Sequence, residues 1–200
     1  MKKPSYIYEY KNWPDFVWRD AEINALFGEV RLMQGKIIGH MNALGFSAME
    51  EASLKALTLD VVKSSEIEGE LLNFNQVRSS IARRLGINTG GIVKSNRHIE
   101  GVVEMMLDAT QRFDAPLTEK RLLGWHAALF PTGFSGPYSI EVGCYRSGDM
   151  QVVSGPMGKE KVHYQAIAPK HIKSEMKKFL KWLNSKGTLD PVIKAAIAHF

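Results

Sequence analysis

The stretch KSSEIEGE, Lys63 to Glu70, places three glutamates at the end of an apolar segment. Apolar residues from Leu54 to Val61 recur at helical spacing before it, and Gly69 permits the left-handed turn that closes many helices, so a helix is predicted to end there. Acidic side chains are disfavoured at this end, because the C-terminus of a helix carries partial negative charge. Ser64 and Glu68 lie four residues apart and share a face of that helix. A cation outside the helix would offset the unfavourable position of Glu68.

The composition limits the classes of protein to consider. The 200 residues suffice for one large domain or two small ones, and a composition of 44% hydrophobic and 24% charged residues is that of a globular protein. The single cysteine, Cys144, excludes an intrachain disulfide and favours a reducing compartment. The N-terminal sequence MKKPSYIYEYKNW has no apolar signal region, and no apolar run is long enough to span a bilayer. These features predict a cytoplasmic protein without a membrane partner.

The net charge of +5 is only a weak indication of nucleic-acid binding. The basic residues are concentrated on one predicted helix, whose lysine stripe consists of Lys170, Lys173, Lys177 and Lys181. The opposing apolar face consists of Ile172, Met176, Phe179, Leu180 and Leu183. This pattern predicts an amphipathic helix that packs on a core and has a solvated lysine face. Nucleic-acid binding is therefore the least favoured of the function classes considered.

Helical periodicity runs through most of the chain and predicts a mostly α fold. Local signals predict where the helices begin and end. The predicted helix starts are Trp13-Pro14-Asp15, a capping box at Ser47-Ala48-Met49-Glu50, caps at Asn75, Thr118 and Asp190-Pro191, a periodic segment that begins at Asn96, and Pro169 as the first residue of the helix with the lysine stripe. The predicted helix ends are Gly45, Gly69, Gly86 and Asp114-Ala115-Pro116.

The segment from Pro131 to Ala168 is rich in glycine and contains short β-prone runs. Two of these runs, Met150–Val153 and Lys161–Tyr164, flank the turn-forming residues Ser154–Gly158 and predict one β-hairpin. Signatures of common enzyme classes are absent from the sequence, which has no Walker loop, no dinucleotide-binding glycine pattern, no paired-cysteine zinc site and no HExxH. The six histidines are scattered, and the best candidate among them, His126, has the neighbours of a structural residue.

Three stretches of the sequence, Ser64–Gly69, Gly143–Arg146 and Tyr8–Lys36, together resemble the Fic family of protein adenylyltransferases. Ser64-x-x-x-Glu68-Gly69 resembles the family's inhibitory motif (S/T)xxxE(G/N), and Gly143-Cys144-Tyr145-Arg146 is similar to the GxYR segment ahead of the family's flap hairpin. The run from Tyr8-Glu9-Tyr10 to Trp13-Pro14, followed by Leu32-Met33-Gln34-Gly35-Lys36, resembles the helical domain that precedes many bacterial Fic cores. The resemblance covers the whole chain in order. It implies a helical N-terminal domain at residues 1–91 and a Fic-like helical bundle with one β-hairpin flap at residues 92–200.

The sequence departs from the family in one respect. The family's active-site motif, HxFx(D/E)GNGRxxR, does not occur in the 200 residues. The resemblance implies that the motif follows shortly after Phe200, so this chain is expected to contain no catalytic residue and to transfer no AMP by itself. His199 is not the motif histidine, because no motif residues follow it. ATP as substrate and Mg²⁺ as cofactor are expected only together with that motif.

The resemblance implies roles for two regions of the chain. Glu68 would inhibit by pairing with the second arginine of the missing motif, which otherwise binds the γ-phosphate of ATP, and Ser64 and Gly69 would position Glu68. The flap would hold an extended segment of a target protein bearing a Ser, Thr or Tyr hydroxyl, through Met150, Gln151, Val152, Val153, Val162, His163 and Tyr164. A hairpin that only packs on the core, transfer of a group other than AMP, and a homodimer remain open. The main alternative function is a non-catalytic helical protein-interaction module.

Overall fold

The structure is a computed structural model that describes residues 6–91 and 93–200. Within these residues the chain forms seven α-helices and two antiparallel two-stranded sheets, so the predicted mostly α fold is confirmed. The helices are α1 (Asp20–Ala43), α2 (Phe46–Ile67), α3 (Phe74–Leu85), α4 (Arg97–Gln111), α5 (Glu119–Leu129), α6 (Pro169–Leu183) and α7 (Pro191–His199). The strands are β1 (Phe134–Ser135), β2 (Tyr138–Ser139), β3 (Gln151–Ser154) and β4 (Lys161–Gln165), and a short 3-10 helix spans Ile7–Glu9.

The β3–β4 hairpin is the one that the sequence predicts, whereas the β1–β2 hairpin is an addition. Strands of two residues are too short to produce an alternating pattern, which explains why the sequence does not reveal them. The predicted domain boundary between residues 91 and 92 involves Ile92, which lies outside the described residues, and this boundary stays a prediction.

The chain divides into two compact units. One unit comprises Arg19–Ala115 and Gly124–Val142, and it contains α1 to α4, the end of α5 and the β1–β2 hairpin. The other comprises the described residues up to Trp18, Pro116–Leu123 and Gly143–Phe200. It contains the 3-10 helix, the start of α5, the β3–β4 hairpin, α6 and α7.

The core lies between α2, α3 and α4 in the first of these units. Its eight buried apolar residues are Leu54, Val61, Val77, Ile81, Ala82, Ile99, Val102 and Val103. Their spacing turns one apolar face of each helix toward the others. In addition, α4 approaches α5 closely, since a Cβ atom added to Gly101 would lie 1.8 Å from the carbonyl oxygen of Ala128. A glycine is therefore required at this contact.

The long helix α1 has helical periodicity but contributes no buried residue. Its apolar residues Leu26, Met33 and Ile37 are 60%, 59% and 62% exposed. The periodicity correctly predicts that this segment is a helix, but an apolar pattern alone does not establish what the helix packs against.

The predicted start of α1 is wrong, because the helix begins at Asp20 rather than at Trp13-Pro14-Asp15. The residues in between make aromatic contacts in a non-helical segment. The rings of Trp13 and Phe16 lie 5.5 Å apart, and the ring of Phe16 lies 5.6 Å from that of Phe200. Packing of these large side chains outweighs the start signal that Pro gives at a first helical position.

The predicted capping box at Ser47-Ala48-Met49-Glu50 is also wrong. The helix α2 begins at Phe46, so Ser47 lies inside its first turn, and Gly45 occupies the cap position without a side-chain hydrogen bond. The N–H of Met49 donates to the carbonyl oxygen of Gly45 at 3.0 Å, which places the first helical hydrogen bond earlier than the sequence signal suggests.

The third incorrect start is that of α3, which is capped by Asn73 rather than by Asn75. The Asn73 side-chain oxygen accepts the N–H of Gln76 at 3.1 Å, and Asn75 lies in the first turn. Two asparagines two residues apart are equivalent as sequence signals. The residues that α3 buries, such as Val77 and Ile81, decide between them.

The remaining predicted caps, Thr118 and Asp190, are confirmed, and the structure adds a cap at Asn96, where the sequence indicates only the beginning of a periodic segment. Side-chain oxygens of Asn96, Thr118 and Asp190 accept first-turn N–H groups at 2.8, 3.1 and 2.8 Å, and Gly86 ends α3 with φ at +71°. The lysine stripe of α6 is exposed and its apolar face is half-buried, as predicted. None of the helices within residues 6–91 and 93–200 has the length and apolar character needed to cross a membrane.

Candidate functional site

The end of α2 is closed by a glycine turn. The last helical residue is Ile67, Glu68 occupies the cap position, and Gly69 has φ at +84°, as the sequence predicts. The N–H of Gly69 donates to the carbonyl oxygen of Glu66 at 3.0 Å, and the N–H of Glu70 donates to that of Ser65 at 2.8 Å. This pair of bonds is a Schellman motif, which requires the left-handed conformation that glycine adopts without strain.

The three glutamates of this segment differ in their partners. Glu66 forms an ion pair with Lys63 at 2.5 Å, and Glu70 contacts the Nε2 atom of His98 at 2.9 Å. Glu68 is exposed, and its carboxylate has no hydrogen bond or ion pair with any residue in the ranges 6–91 and 93–200. The carboxylate of Glu68 is thus available to a cation from outside these ranges. Ser64, one turn earlier, is exposed as well.

Apolar side chains flank Glu68 on both sides in the sequence. Ile67 is 83% exposed and Leu71 is 86% exposed, although both are large and apolar. The end of α2 therefore presents a carboxylate between two solvated aliphatic side chains.

Glu70, which follows the glycine turn at Gly69, contacts His98 at the start of α4. The His98 Nδ1 atom lies 3.2 Å from the carbonyl oxygen of Leu129, and its Nε2 atom lies 2.9 Å from a carboxylate oxygen of Glu70. A carbonyl oxygen only accepts hydrogen bonds, so Nδ1 is the donor to Leu129. The Asn96 cap fixes the start of α4 and hence the position of His98. Through these contacts the chain after Gly69 is tied to α4 and to the end of α5.

A second group of charged side chains joins α3 to α4. Glu100 forms ion pairs with Arg83 at 2.6 Å and with Arg84 at 3.2 Å, and it accepts a short hydrogen bond from the Ser95 hydroxyl. Partial burial by itself raises the pKa of Glu100, but the hydrogen bonds from Ser95 and Arg83 outweigh burial and lower the pKa to about 2. Because every charge in this group has an ionic partner, the group serves to hold the two helices together.

The β3–β4 hairpin carries all the residues predicted to form the flap. Val152 pairs with Tyr164 and Val153 with Val162, and a bulge between them leaves His163 as the extra residue of β4. Gln151 is the first residue of β3 and pairs with Gln165, while Met150 precedes the strand and its carbonyl oxygen accepts the N–H of Ala166 at 2.9 Å. All four residues of β3 are exposed. The predicted hairpin is confirmed, and its role in target binding stays a prediction.

Arg146, which belongs to the GxYR segment, closes the base of this hairpin. Its guanidinium donates to the carbonyl oxygen of Gly148 at 2.7 Å and, by a short hydrogen bond, to that of Ile167. These two carbonyl groups lie just before β3 and just after β4. The arginine therefore ties together the two ends of the hairpin.

Sequence reasoning missed three residues with long-range contacts. His98 contacts Glu70, and Tyr6 and Tyr8 contact Tyr164 of β4. The repeat of tyrosine at positions 6, 8 and 10 is a sequence signal that could have pointed to a packing role for these rings.

In the ranges 6–91 and 93–200 no three His, Cys, Asp or Glu side chains come together in a way that could hold a metal ion. Mg²⁺ therefore stays an expectation that is tied to the active-site motif, which does not occur in the 200 residues.

Two family models match the chain. Residues 6–87 match a domain of unknown function (DUF4172), and residues 116–200 match the Fic/DOC family. Among solved structures, a Fic family protein from Desulfovibrio desulfuricans G20 is similar over 93% of this chain, with a TM-score of 0.56 and 24% sequence identity. This chain spans 51% of the length of that protein. No curated protein sequence shows a significant match.

Proposed function

We propose, from the match of residues 116–200 to the Fic/DOC family, that the chain is part of a protein adenylyltransferase that Glu68 inhibits. The enzyme transfers AMP from ATP to a Ser, Thr or Tyr hydroxyl of a target protein. The hydroxyl oxygen attacks the α-phosphorus, the bond to the pyrophosphate oxygen breaks, and pyrophosphate leaves. The groups that take the hydroxyl proton and hold the phosphates belong to the family's active-site motif, which does not occur in the 200 residues. This chain contributes inhibition and target positioning.

The inhibitory role rests on the unpaired carboxylate of Glu68. Its neighbours Glu66 and Glu70 contact Lys63 and His98, whereas Glu68 has no partner in the described part of the chain. A carboxylate at the C-terminal end of a helix is unfavourable by itself, because it meets the negative end of the helix dipole. An arginine of the active-site motif would relieve this cost, since a guanidinium group binds a carboxylate through two parallel hydrogen bonds.

The geometry of arginine also explains how such a pair inhibits. The same fork of N–H groups binds carboxylate and phosphate oxygens, so an arginine held by Glu68 is not available to the γ-phosphate of ATP. The nucleotide then lacks the orientation that brings the α-phosphorus into line with the target hydroxyl. The exposed side chains of Ile67 and Leu71 offer apolar contact to the stem of this arginine.

The second part of the proposal concerns the β3–β4 hairpin, which acts as the flap. An extended target segment adds to an exposed strand edge through main-chain hydrogen bonds, and this pairing places its hydroxyl. Every residue of β3 is exposed, which leaves that strand accessible to such a segment. The side chains of Val152, Val153 and Val162 are 57%, 45% and 43% exposed and would contact the target.

The test compares two glutamates of the same helix end in the full-length protein with its active-site motif. We expect Glu68→Gln and Glu68→Gly to raise AMP incorporation by about tenfold or more, because a charge-assisted hydrogen bond contributes about 1.5–3 kcal/mol and 1.4 kcal/mol is a factor of ten. Glu66→Gln is the matched control, since Glu66 is already paired with Lys63, and its activity should equal that of the wild type. Incorporation is measured by mass spectrometry of the AMP adduct after incubation with ATP.

The outcomes separate the inhibitory role of Glu68 from the adenylyltransferase activity itself. Equal incorporation by wild type and both Glu68 variants would show that Glu68 is not inhibitory. Equal activation by Glu66→Gln would show that the effect comes from the charge of the helix end in general. If no variant incorporates AMP, the assignment as an adenylyltransferase is wrong.

A further inference from the structure

Three tyrosine rings connect the N-terminal segment to the β3–β4 hairpin. The rings of Tyr6 and Tyr8 stack with their centroids 5.7 Å apart. Both rings meet the ring of Tyr164 on β4 edge-on, at 5.5 Å and 6.1 Å. The Tyr8 hydroxyl also donates a hydrogen bond of 2.6 Å to the carbonyl oxygen of Gln165. We call these four residues, Tyr6, Tyr8, Tyr164 and Gln165, the tyrosine clamp.

The hydrogen bond of Tyr8 lies on the outer edge of β4. The N–H of Ala166 donates to the carbonyl oxygen of Met150, so the backbone groups of Ala166 face β3. Backbone groups of successive residues in an antiparallel pair point to opposite edges. The N–H and C=O of Gln165 therefore point away from β3, and the Tyr8 hydroxyl occupies the edge where another strand would pair.

Local structure presents the two N-terminal rings to the hairpin. The 3-10 helix Ile7–Glu9 is closed by a hydrogen bond from the N–H of Glu9 to the carbonyl oxygen of Tyr6 at 3.0 Å. The Glu9 carboxylate accepts the N–H of Tyr6 at 3.2 Å. Burial and the nearby Glu9 carboxylate raise the pKa of Tyr8, so its hydroxyl keeps the proton that it donates to Gln165.

The hairpin needs external contacts to keep one conformation. A two-stranded hairpin is at best marginally stable in water by itself. The side chains of β3 are exposed, and no residue of β3 or β4 is buried, so apolar burial within the hairpin is small. The tyrosine clamp and the bonds of Arg146 at the base are therefore contacts on which the conformation of the hairpin depends.

We propose that Tyr6 and Tyr8 are positioning residues, which hold the hairpin through β4 and leave the outer edge of β3 as the edge on which an extended target segment pairs. The statement about the target rests on the proposed function, whereas the clamp itself does not. Edge-on aromatic contacts fix the orientation of β4, and the hydrogen bond to Gln165 excludes a competing strand from its outer edge. The N-terminal segment thus determines that the outer edge of β3, and not that of β4, is accessible to a target segment.

The clamp is tested by hydrogen–deuterium exchange of the amides of residues 150–166 in the full chain. We expect the double variant Tyr6→Ala/Tyr8→Ala to exchange about tenfold faster there, as the loss of two ring contacts and a hydrogen bond predicts. Tyr8→Phe keeps the ring and should restore most of the protection. The matched control is Tyr10→Ala, because Tyr10 lies in the same segment, is 50% exposed and has no ring contact among the described residues. Amides of α2 to α4 report on global unfolding and should not change.

The role in target positioning is tested by kinetics of the full-length protein with the activating Glu68→Gly change as background. We expect the double tyrosine variant to raise KM for the target protein while kcat for AMP transfer changes little. Unchanged hairpin exchange in the double variant would overturn the clamp. Faster hairpin exchange with an unchanged KM would overturn the assignment of the β3 edge. Faster hairpin exchange in a protein that transfers no AMP would contradict the proposed function and leave the clamp supported.

Discussion

The three-helix core and the β3–β4 hairpin are stabilised in different ways. The eight buried apolar residues within the described chain all lie on α2, α3 and α4. The hairpin has no buried residue and depends on tyrosine rings, a tyrosine hydroxyl and the bonds of Arg146. Because many side chains of α2, α3 and α4 are buried against one another, the position of these helices does not depend on any single contact. The hairpin, in contrast, is held by a few individual contacts, so a single substitution can make it locally unfold.

The comparison is tested most strongly by truncating one apolar residue in each region. Leu54 is fully buried and Val152 is 57% exposed. We expect Leu54→Ala to lower the free energy of unfolding by about 2–5 kcal/mol, from lost apolar burial and the cavity left behind. Val152→Ala should lower it by less than about 0.5 kcal/mol. Urea denaturation followed by circular dichroism measures both, and equal losses would show that the hairpin is as tightly packed as the core.

A smaller effect is expected from acid, through Glu100 between α3 and α4. Its pKa in the folded protein is about 2, below the ordinary value of 4.5, so the folded state binds the proton less readily than the unfolded state. The stabilisation is therefore complete above pH 4.5 and is lost as the pH falls toward 2, by on the order of 1–3 kcal/mol.

The measurement is the free energy of unfolding at pH 5 and pH 3 for wild type and two variants. Glu100→Gln should lose this part of the pH dependence. Glu104→Gln is the control, since Glu104 is 65% exposed and contacts Arg84 at 3.4 Å only, so it should keep the wild-type dependence. The same pH dependence in Glu100→Gln as in wild type would assign it to other carboxylates.

The smallest effect is expected for substitution of His98. It tests whether the end of α2 is held by many contacts, as the core is, or by a few, as the hairpin is. We expect His98→Ala to accelerate amide exchange of residues 69–71 about two- to fivefold, because the contact between His98 and Glu70 is partly exposed and contacts of this kind contribute less than about 1 kcal/mol. The melting temperature should change little. Lys63→Ala is the control, since it removes the pair of Glu66 within the helix. Equal exchange in both variants would mean that the glycine turn alone holds this segment.

Sequence reasoning succeeds for contacts between residues that are close along the chain and fails for contacts between residues that are far apart along it. The caps at Thr118 and Asp190 and the turn at Gly69 were predictable, because their hydrogen bonds join residues two to five positions apart. The same reasoning placed the cap of α3 at Asn75 although the structure has it at Asn73, because the two asparagines have the same local chemistry. Periodicity identified α1 and α4 alike as helices but did not reveal that only α4 is buried.

For the candidate site, the sequence by itself determined a helix that ends in a glycine turn with three glutamates, and a β-hairpin further along the chain. Both follow from local backbone preferences, which depend on near neighbours. Only the tertiary structure decided that Glu68, alone among the three glutamates, has no partner within residues 6–91 and 93–200, because Glu70 contacts a histidine 28 residues away. It also decided that Tyr8 bonds to Gln165 across 157 residues. Contacts of this kind arise when packing brings distant segments together, and no short-range pattern in the sequence encodes them.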